Sequence, residues 1–308
     1  MAHVDGGKTT LTEQLLFRSG AVRAPGRVDD GSAHTDYMDF ERRRGISVRS
    51  ASALIDWQGL RINIIDTPGH SDFSGEVQRA ARALDLAVIV VSAVEGVQSQ
   101  TELIWHSLQK MRLPALFFIN KTDRVGADVE KTLLEITGLT GIRPVSLCFD
   151  SRDSYAEAVV EFSDEALEKF FSAGALAFSE EELDKLLREA FYSGRLIPCV
   201  TGAALRGEGI EELLSLLPHL AAEKNEAGPI SGVVFKVEHN PALGRVAHVR
   251  LFSGTLRNRD LVHNFDADCD EKVTQIREVL CAKEKDTGIL KAGEVGAVIA
   301  THGPDTGT

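Results

Sequence analysis

Three short motifs stand in one order along this chain: Ala2-His3-Val4-Asp5-Gly6-Gly7-Lys8-Thr9, then Asp66-Thr67-Pro68-Gly69-His70, then Asn120-Lys121-Thr122-Asp123. Polar groups collected at the ends of apolar strand-like runs belong to an open α/β sheet, which binds its ligands beyond the carboxyl ends of its strands. The first two hundred residues fit that architecture. Residues 51–57 and 61–67 flank Gln58-Gly59 as an antiparallel hairpin. Residues 86–93 and 114–121 are continuous apolar runs, the mark of strands buried on both faces, and 197–200 is a third that leads into Thr201-Gly202. Amphipathic helices are expected over 8–19, 75–84, 101–111, 127–139 and 210–220, and two acidic surface helices within 164–193. The alternation predicts an α/β domain: a mostly parallel sheet with helices on both faces.

A polar Gly- and Pro-containing stretch at 221–229 separates this unit from a different pattern. Short strand candidates at 230–237, 245–252, 261–265, 272–279 and 294–300 predict an all-β domain, a small closed barrel. The expected division is 1–222 and 223–308, and 308 residues suffice for two cores. The net charge of −12 argues against a general nucleic-acid coat, although a local basic patch on an acidic body keeps ribosomal RNA open as a partner. Four scattered cysteines lack metal-ligand spacing and read as reduced thiols. The longest apolar run, 86–93, is too short to span a bilayer, and no signal peptide is evident, so no membrane partner and a cytoplasmic protein are expected.

Each motif has a chemical reading. Gly6 and Gly7 let consecutive backbone N–H groups face phosphate oxygens, Lys8 can bridge the β- and γ-phosphates, and the Thr9 hydroxyl suits Mg²⁺. Lys8 also opens a helix whose dipole favours an anion. Asp66 can reach the Mg²⁺ shell through water, the Gly69 N–H can approach the γ-phosphate, and His70 can orient an attacking water. Asp123 can accept both hydrogens on the guanine N1/N2 edge, where adenine would leave it unpaired. Lys121 can lay its stem along the base, and Asn120 can tie the loops together. Gly202-Ala203-Ala204 is the expected backbone partner of the guanine carbonyl. The three motifs in order predict a GTP-hydrolysing switch.

With these residues in view the chain resembles the translational GTPases, the group containing elongation factor G. The resemblance is carried by residues 3–10, Arg44-Gly45-Ile46-Ser47, residues 66–73 and residues 120–123. Within that group Glu95-Gly96-Val97-Gln98-Ser99-Gln100-Thr101, and the short stretch between Asp123 and Gly202, look most like the tetracycline-resistance ribosomal protection proteins. The resemblance continues through 232–237 and 250–256 into the family's β-barrel. It implies Ser47 as a Mg²⁺ ligand in place of the usual Thr, and Val4 with Ile46 as an apolar gate around the catalytic His70. It also implies Asp5 and Thr10 beside the nucleotide, with a monovalent cation near Asp5. Ala203 stands where the family often has Ser.

The function so implied is a ribosome-stimulated GTPase, acting as a monomer on the ribosome's RNA and proteins, of the tetracycline-protection type. An elongation factor G-like translocase and a truncated nucleotide-binding remnant without hydrolysis are the alternatives. A metabolic P-loop kinase is disfavoured by the guanine motif. The family sets a β-strand before the phosphate loop and adds domains after the barrel, so the chain reads as a fragment, with Ala2 and His3 expected to be poorly held.

Overall fold

The computed structural model describes residues 1–26, 51–66, 79–222, 227–240, 243–280 and 283–301. Strands β3 (Ala87–Ser92), β4 (Ala115–Asn120) and β5 (Cys199–Thr201) form a parallel sheet in that order. Ala87 pairs with Ala115 and Ser92 with Asn120, while Phe117 pairs with Cys199. The strand period of two sorts the apolar runs between two cores. Ile89, Val91, Phe117 and Ile119 pack with Ile104, Trp105 and Leu108 of α2 (Ser99–Met111) and Ile136 of α3 (Val129–Thr140). Val90, Leu116 and Phe118 face the other way, toward Leu11 and Leu15 of α1 (Lys8–Arg18) and Leu213 of α7 (Ile210–Leu220). Both faces are covered, which is why these runs show no polar alternation.

Strands β1 (Ala51–Trp57) and β2 (Leu60–Asp66) form the expected hairpin, with Ala51 opposite Asp66 and Trp57 opposite Leu60. Gln58 and Gly59 both take positive φ, 48° and 82°, as a two-residue turn matched to strand twist requires. Among the described residues β2 and β3 are not hydrogen-bonded to each other. A largely apolar cavity of about 330 Å³ lies between them, lined by Leu60, Ile62 and Ile64 on one side, Val88 and Val90 on the other, and Leu15 and Leu217 from the helices. At its edge Ala2 pairs in parallel with Val90, whose N–H donates to the Met1 carbonyl at 2.9 Å. The Met1 amine donates to the Val88 carbonyl at 2.8 Å. The expectation that Ala2 and His3 are poorly held is therefore corrected: both are buried, and backbone pairing to β3 holds the first.

After α3, three more α-helices fill the chain before β5. The acidic pair is present as α5 (Asp164–Ala173) and α6 (Glu180–Tyr192). Ser179 and Glu182 form a reciprocal capping box at the start of α6, which buries Leu183, Leu187 and Phe191 and turns its charges outward. The preceding α4 (Arg152–Val160) was not expected. Ser151 caps it by accepting from the Ser154 N–H, and Tyr155, Ala156, Val159 and Val160 are buried.

The C-terminal part is all β: β6 (Ser231–Asn240), β7 (Gly244–Ser253), β8 (Thr255–Arg257), β9 (Leu261–Asn264), β10 (Cys269–Leu280), β11 (Lys283–Asp286), β12 (Ile289–Lys291) and β13 (Val295–Thr301). The antiparallel order is β11-β10-β13-β7-β6, with β9 also on β10 and a separate β8-β12 pair. The expected closed barrel is corrected to an open curled sheet, a half-barrel, because no pairing among the described residues joins β11 to β6. Leu251, Leu256, Val273, Ile276 and Leu290 form its core. It meets the α/β part through Arg250, which donates to both oxygens of Asp85 at 2.9 Å, and through Arg61, which donates to Glu294 at 3.2 Å and to Glu278. Ala83, Phe235 and Val295 pack beneath these pairs. Among the described residues no helix is long and apolar enough to cross a membrane.

Candidate nucleotide site

The motif residues that fall on described parts of the chain converge at the carboxyl end of the parallel sheet. Residues 2–7 form the loop that leads from Ala2 into α1. Asp5 and Gly7 take positive φ, 60° and 90°, so neighbouring peptide N–H groups can turn toward one side, the backbone concavity that suits an anion. Gly7 is the N-cap of α1, and no side chain caps it. A β-carbon at Gly7 would lie 2.2 Å from Asn120 Nδ2, so only glycine allows the two loops to meet. Thr9 and Thr10 sit half-buried in the first turn of α1.

Lys8 donates to Asp66, which β2 delivers from the other side of the cavity. Asp66 is buried, and its second carboxylate oxygen has no hydrogen-bond partner among the described residues. A buried, unpartnered carboxylate oxygen near the threonine-bearing turn is the donor chemistry that a hard cation such as Mg²⁺ takes. Gly69 and His70, as well as Ser47 and Ile46, lie outside the described residues. Val4 is exposed, and its N–H donates to Gln100 Oε1 at 3.0 Å. Asp5 is exposed in the same loop.

Asn120 ends β4 and is the centre of the arrangement. Only 3% of it is exposed; its Nδ2 donates to the Gly6 carbonyl at 3.0 Å and its Oδ1 accepts the Ala204 N–H at 2.9 Å. One side chain thus fastens the phosphate loop to the loop after β5. That loop is also bonded to β4 and to the third motif: the Gly202 N–H donates to the Ile119 carbonyl, the Thr122 N–H donates to the Gly202 carbonyl, and within the loop the Ala203 N–H donates to the Glu208 carbonyl. The three N–H groups expected to face a guanine carbonyl are thus engaged within the protein, and the loop's evident work is to hold Asn120. Lys121 has a left-handed backbone, φ 64°, and its Nζ lies 3.7 Å from Glu95. Asp123 is 11% exposed in its side chain and paired with Arg206 at 3.0 Å.

Sequence reading missed Glu95, Gln100 and Arg206 as partners of the motifs. Glu95 follows β3 and accepts from His3 Nε2 at 3.0 Å while facing Lys121, so it joins the phosphate loop to the third motif. Burial works to raise the Glu95 carboxyl, but the His3 hydrogen bond and the Lys121 charge together hold it below its ordinary value. The signal was the stretch 95–101, read only for its family likeness.

Comparison with known proteins agrees with this geometry. Residues 1–223 match the model of the elongation factor Tu GTP binding domain, and residues 229–308 match elongation factor G domain 2. The chain is 40% identical over 275 residues to the tetracycline resistance protein TetO of Streptococcus pneumoniae, covering 85% of this chain and 43% of that one. It is 35% identical over 316 residues to TetP of Clostridium perfringens, covering 96% and 48%. With TetM of Neisseria meningitidis it shares 37% over 298 residues, covering 91% and 46%. A crystal structure of a Thermus thermophilus protein superposes with a TM-score of 0.82 at 27% identity, covering 97% of this chain and 51% of that one. The chain therefore spans less than half the length of these tetracycline resistance proteins.

Proposed function

This chain belongs to the family of GTPases built on the elongation factor Tu GTP-binding domain, and from that premise we propose that it binds and hydrolyses GTP as part of a ribosome-acting translation factor of the tetracycline-protection type. The observation that carries the reading is Asn120, which bridges the phosphate loop at Gly6 and the base-side loop at Ala204 beside Asp123. The tetracycline resistance named for relatives 35–40% identical supports the subtype. The match of 229–308 to elongation factor G domain 2 supports a translocase as the second reading. The matched spans 1–223 and 229–308 support dividing the chain after residue 222.

In this reading the backbone of Asp5, Gly6 and Gly7, with Lys8, Thr9 and Thr10, receives the phosphates. Gly69 senses the γ-phosphate. Asn120, Lys121 and Asp123 read the base against the wall formed by Gly202, Ala203 and Ala204. Lys8 leaves Asp66 for the phosphates when nucleotide enters, because a polyanionic phosphate chain is the stronger partner. Thr9, Ser47 and Asp66 (through water) would hold Mg²⁺, which neutralises phosphate charge when bound; the unpartnered Asp66 oxygen fits that role. His70 orients the attacking water, held off by Val4 and Ile46 until the ribosome closes the site. A monovalent cation beside Asp5, a monomeric state, ribosomal stimulation and a cytoplasmic setting belong to the same proposal.

Titration of the chain with labelled GTP, GDP and ATP tests the core of this. GTP and GDP should bind while ATP does not compete, and comparable affinities for ATP would sink the guanine assignment. In single-turnover hydrolysis with ribosomes, His70→Ala should slow the reaction by about 10²–10⁴-fold with affinity almost unchanged.

A further inference from the structure

The base-reading corner contains a charged side chain that none of the motifs uses. Arg206 ends the short 3₁₀ turn Ala204–Arg206, and its Nε lies 3.0 Å from Asp123 Oδ2. The Asp123 side chain is 11% exposed and the Arg206 side chain 61%. Asp123 has no other ion pair among the described residues. Lys121 is turned toward Glu95 instead, and Ala203 brings only a buried methyl group to the loop.

The turn that carries Arg206 is held in place by its own backbone. The Arg206 N–H donates to the Ala203 carbonyl at 2.8 Å and the Gly207 N–H to the Ala204 carbonyl at 3.0 Å. A β-carbon on Gly202 would lie 2.3 Å from the Glu208 carbonyl oxygen, so the two ends of the loop are packed backbone to backbone. The Ala204 N–H of the same turn fastens Asn120. The loop thus presents one partner to each end of the third motif: a backbone donor to Asn120 and a guanidinium to Asp123.

We infer that Arg206 is a positioning residue for guanine recognition, holding the Asp123 carboxylate in one plane. This rests on the reading of Asp123 as the guanine acceptor. A carboxylate offers about four lone-pair directions, so it can accept from Arg206 on one oxygen and still receive the N1–H and N2–H of guanine. Without the guanidinium, the carboxylate is free to rotate about its last bond. It then loses the two-point contact that separates guanine from hypoxanthine, which lacks the 2-amino group.

The test uses the whole chain with Arg206→Ala, Arg206→Lys, Asp123→Asn and the Arg206→Ala/Asp123→Asn double variant, titrated with GDP, inosine diphosphate and xanthosine diphosphate. Arg206→Ala should weaken GDP by about 5-fold, the upper end for a partly exposed ion pair. It should weaken inosine diphosphate less, so that the preference between the two shrinks. Arg206→Lys should recover part of the loss, since it keeps the charge without the planar fork. In the Asp123→Asn background the Arg206 change should have no further effect. Tighter GDP binding in Arg206→Ala would mean that the arginine competes with the base, and would overturn the inference. An unchanged preference, or an equal loss in the Asp123→Asn background, would also overturn it. If Asp123→Asn itself fails to shift preference from GDP to xanthosine diphosphate, the guanine reading is wrong and the role of Arg206 falls with it.

Discussion

The two ends of the nucleotide site rest on unequal foundations. On the base side, β4 is paired along both edges, by β3 and by β5, and the loops above it are cross-bonded through Asn120, Ala204 and Gly202. On the phosphate side, the loop rises from Met1 and Ala2, which among the described residues pair with β3 alone, and their outer flank faces the cavity between β2 and β3. Loops above a strand paired on both edges inherit its rigidity; the phosphate loop instead borrows rigidity sideways, from Asn120 at Gly6 and from Glu95 at His3. The base reader is therefore the structural anchor of the site, although it is the phosphate loop that faces the larger charge.

The largest effect should come from equalising the two foundations. About six Val/Ile-rich residues added before Met1, the length of an ordinary strand, would continue the pairing of Ala2 with β3 back past its start at Ala87 and bring apolar side chains into the cavity. Each such side chain is worth about 1.5–3 kcal/mol when fully buried. With a few of them buried, a gain on the order of 5 kcal/mol should raise the melting temperature by about 10 °C and tighten GDP binding at the same time. Identical melting and binding for the extended and present chains would mean that the cavity is not a strand site and that the asymmetry has no energetic content.

A second effect is tied to the same place and depends on pH. Burial and the nearby Lys8 charge push the Met1 α-amine down from its ordinary value of 8.0 to about 5, with Asp66 pulling the other way. Between those values the unfolded chain binds the proton and the folded chain does not, so stability rises with pH across that window. It is fully present above pH 8 and is lost as pH falls toward 5, by about 4 kcal/mol for a shift of this size. Chemical denaturation at pH 6 and at pH 8.5 reads it directly. The extended chain, whose amine lies in solvent, should lack this component, and equal pH slopes for the two chains would remove the amine from the account.

What the sequence disclosed follows the same division. The strands buried on both faces, the hairpin with its Gln58-Gly59 turn and the meeting of the motifs at the sheet's end were legible, because each depends on local pattern or on a spacing that one sheet must satisfy. The helix Arg152–Val160 was not, since nine residues are too few turns to show a helical period until Ser151 caps them and a core receives Tyr155 and Val159. The open edge of the half-barrel was also hidden, as were the short strands β8, β11 and β12: a run of three or four residues seldom shows a period, and strand patterns do not reveal whether the first finds the last. His3 with Glu95 and Asp123 with Arg206 are pairs 92 and 83 positions apart, formed by loops whose relative placement no local period encodes. Most of the second motif and all of Arg44-Gly45-Ile46-Ser47, including His70 and Ser47, lie outside the described residues and remain readings of the sequence alone.

The smallest of these effects asks most pointedly whether the base side supports the phosphate side. Asn120→Ala removes the amide that joins Gly6 to Ala204 and leaves a carbonyl and an N–H unpaired in a site that is only 3% exposed. Unsatisfied buried groups cost about 1–3 kcal/mol each, though water entering the space of the lost amide offsets part of this, so a net loss of about 2–3 kcal/mol is expected. The distribution of the loss matters more than its size. If the anchor argument holds, amide exchange should quicken in residues 3–7 as well as in 202–206, since both loops lose the same tie. Affinity for inorganic pyrophosphate, which has no base to read, should fall along with affinity for GDP. A variant that loses GDP but keeps pyrophosphate would show that Asn120 serves the base alone. The phosphate loop would then stand on Met1, Ala2 and the His3–Glu95 contact, and the comparison between the two ends of the site would have to be drawn the other way.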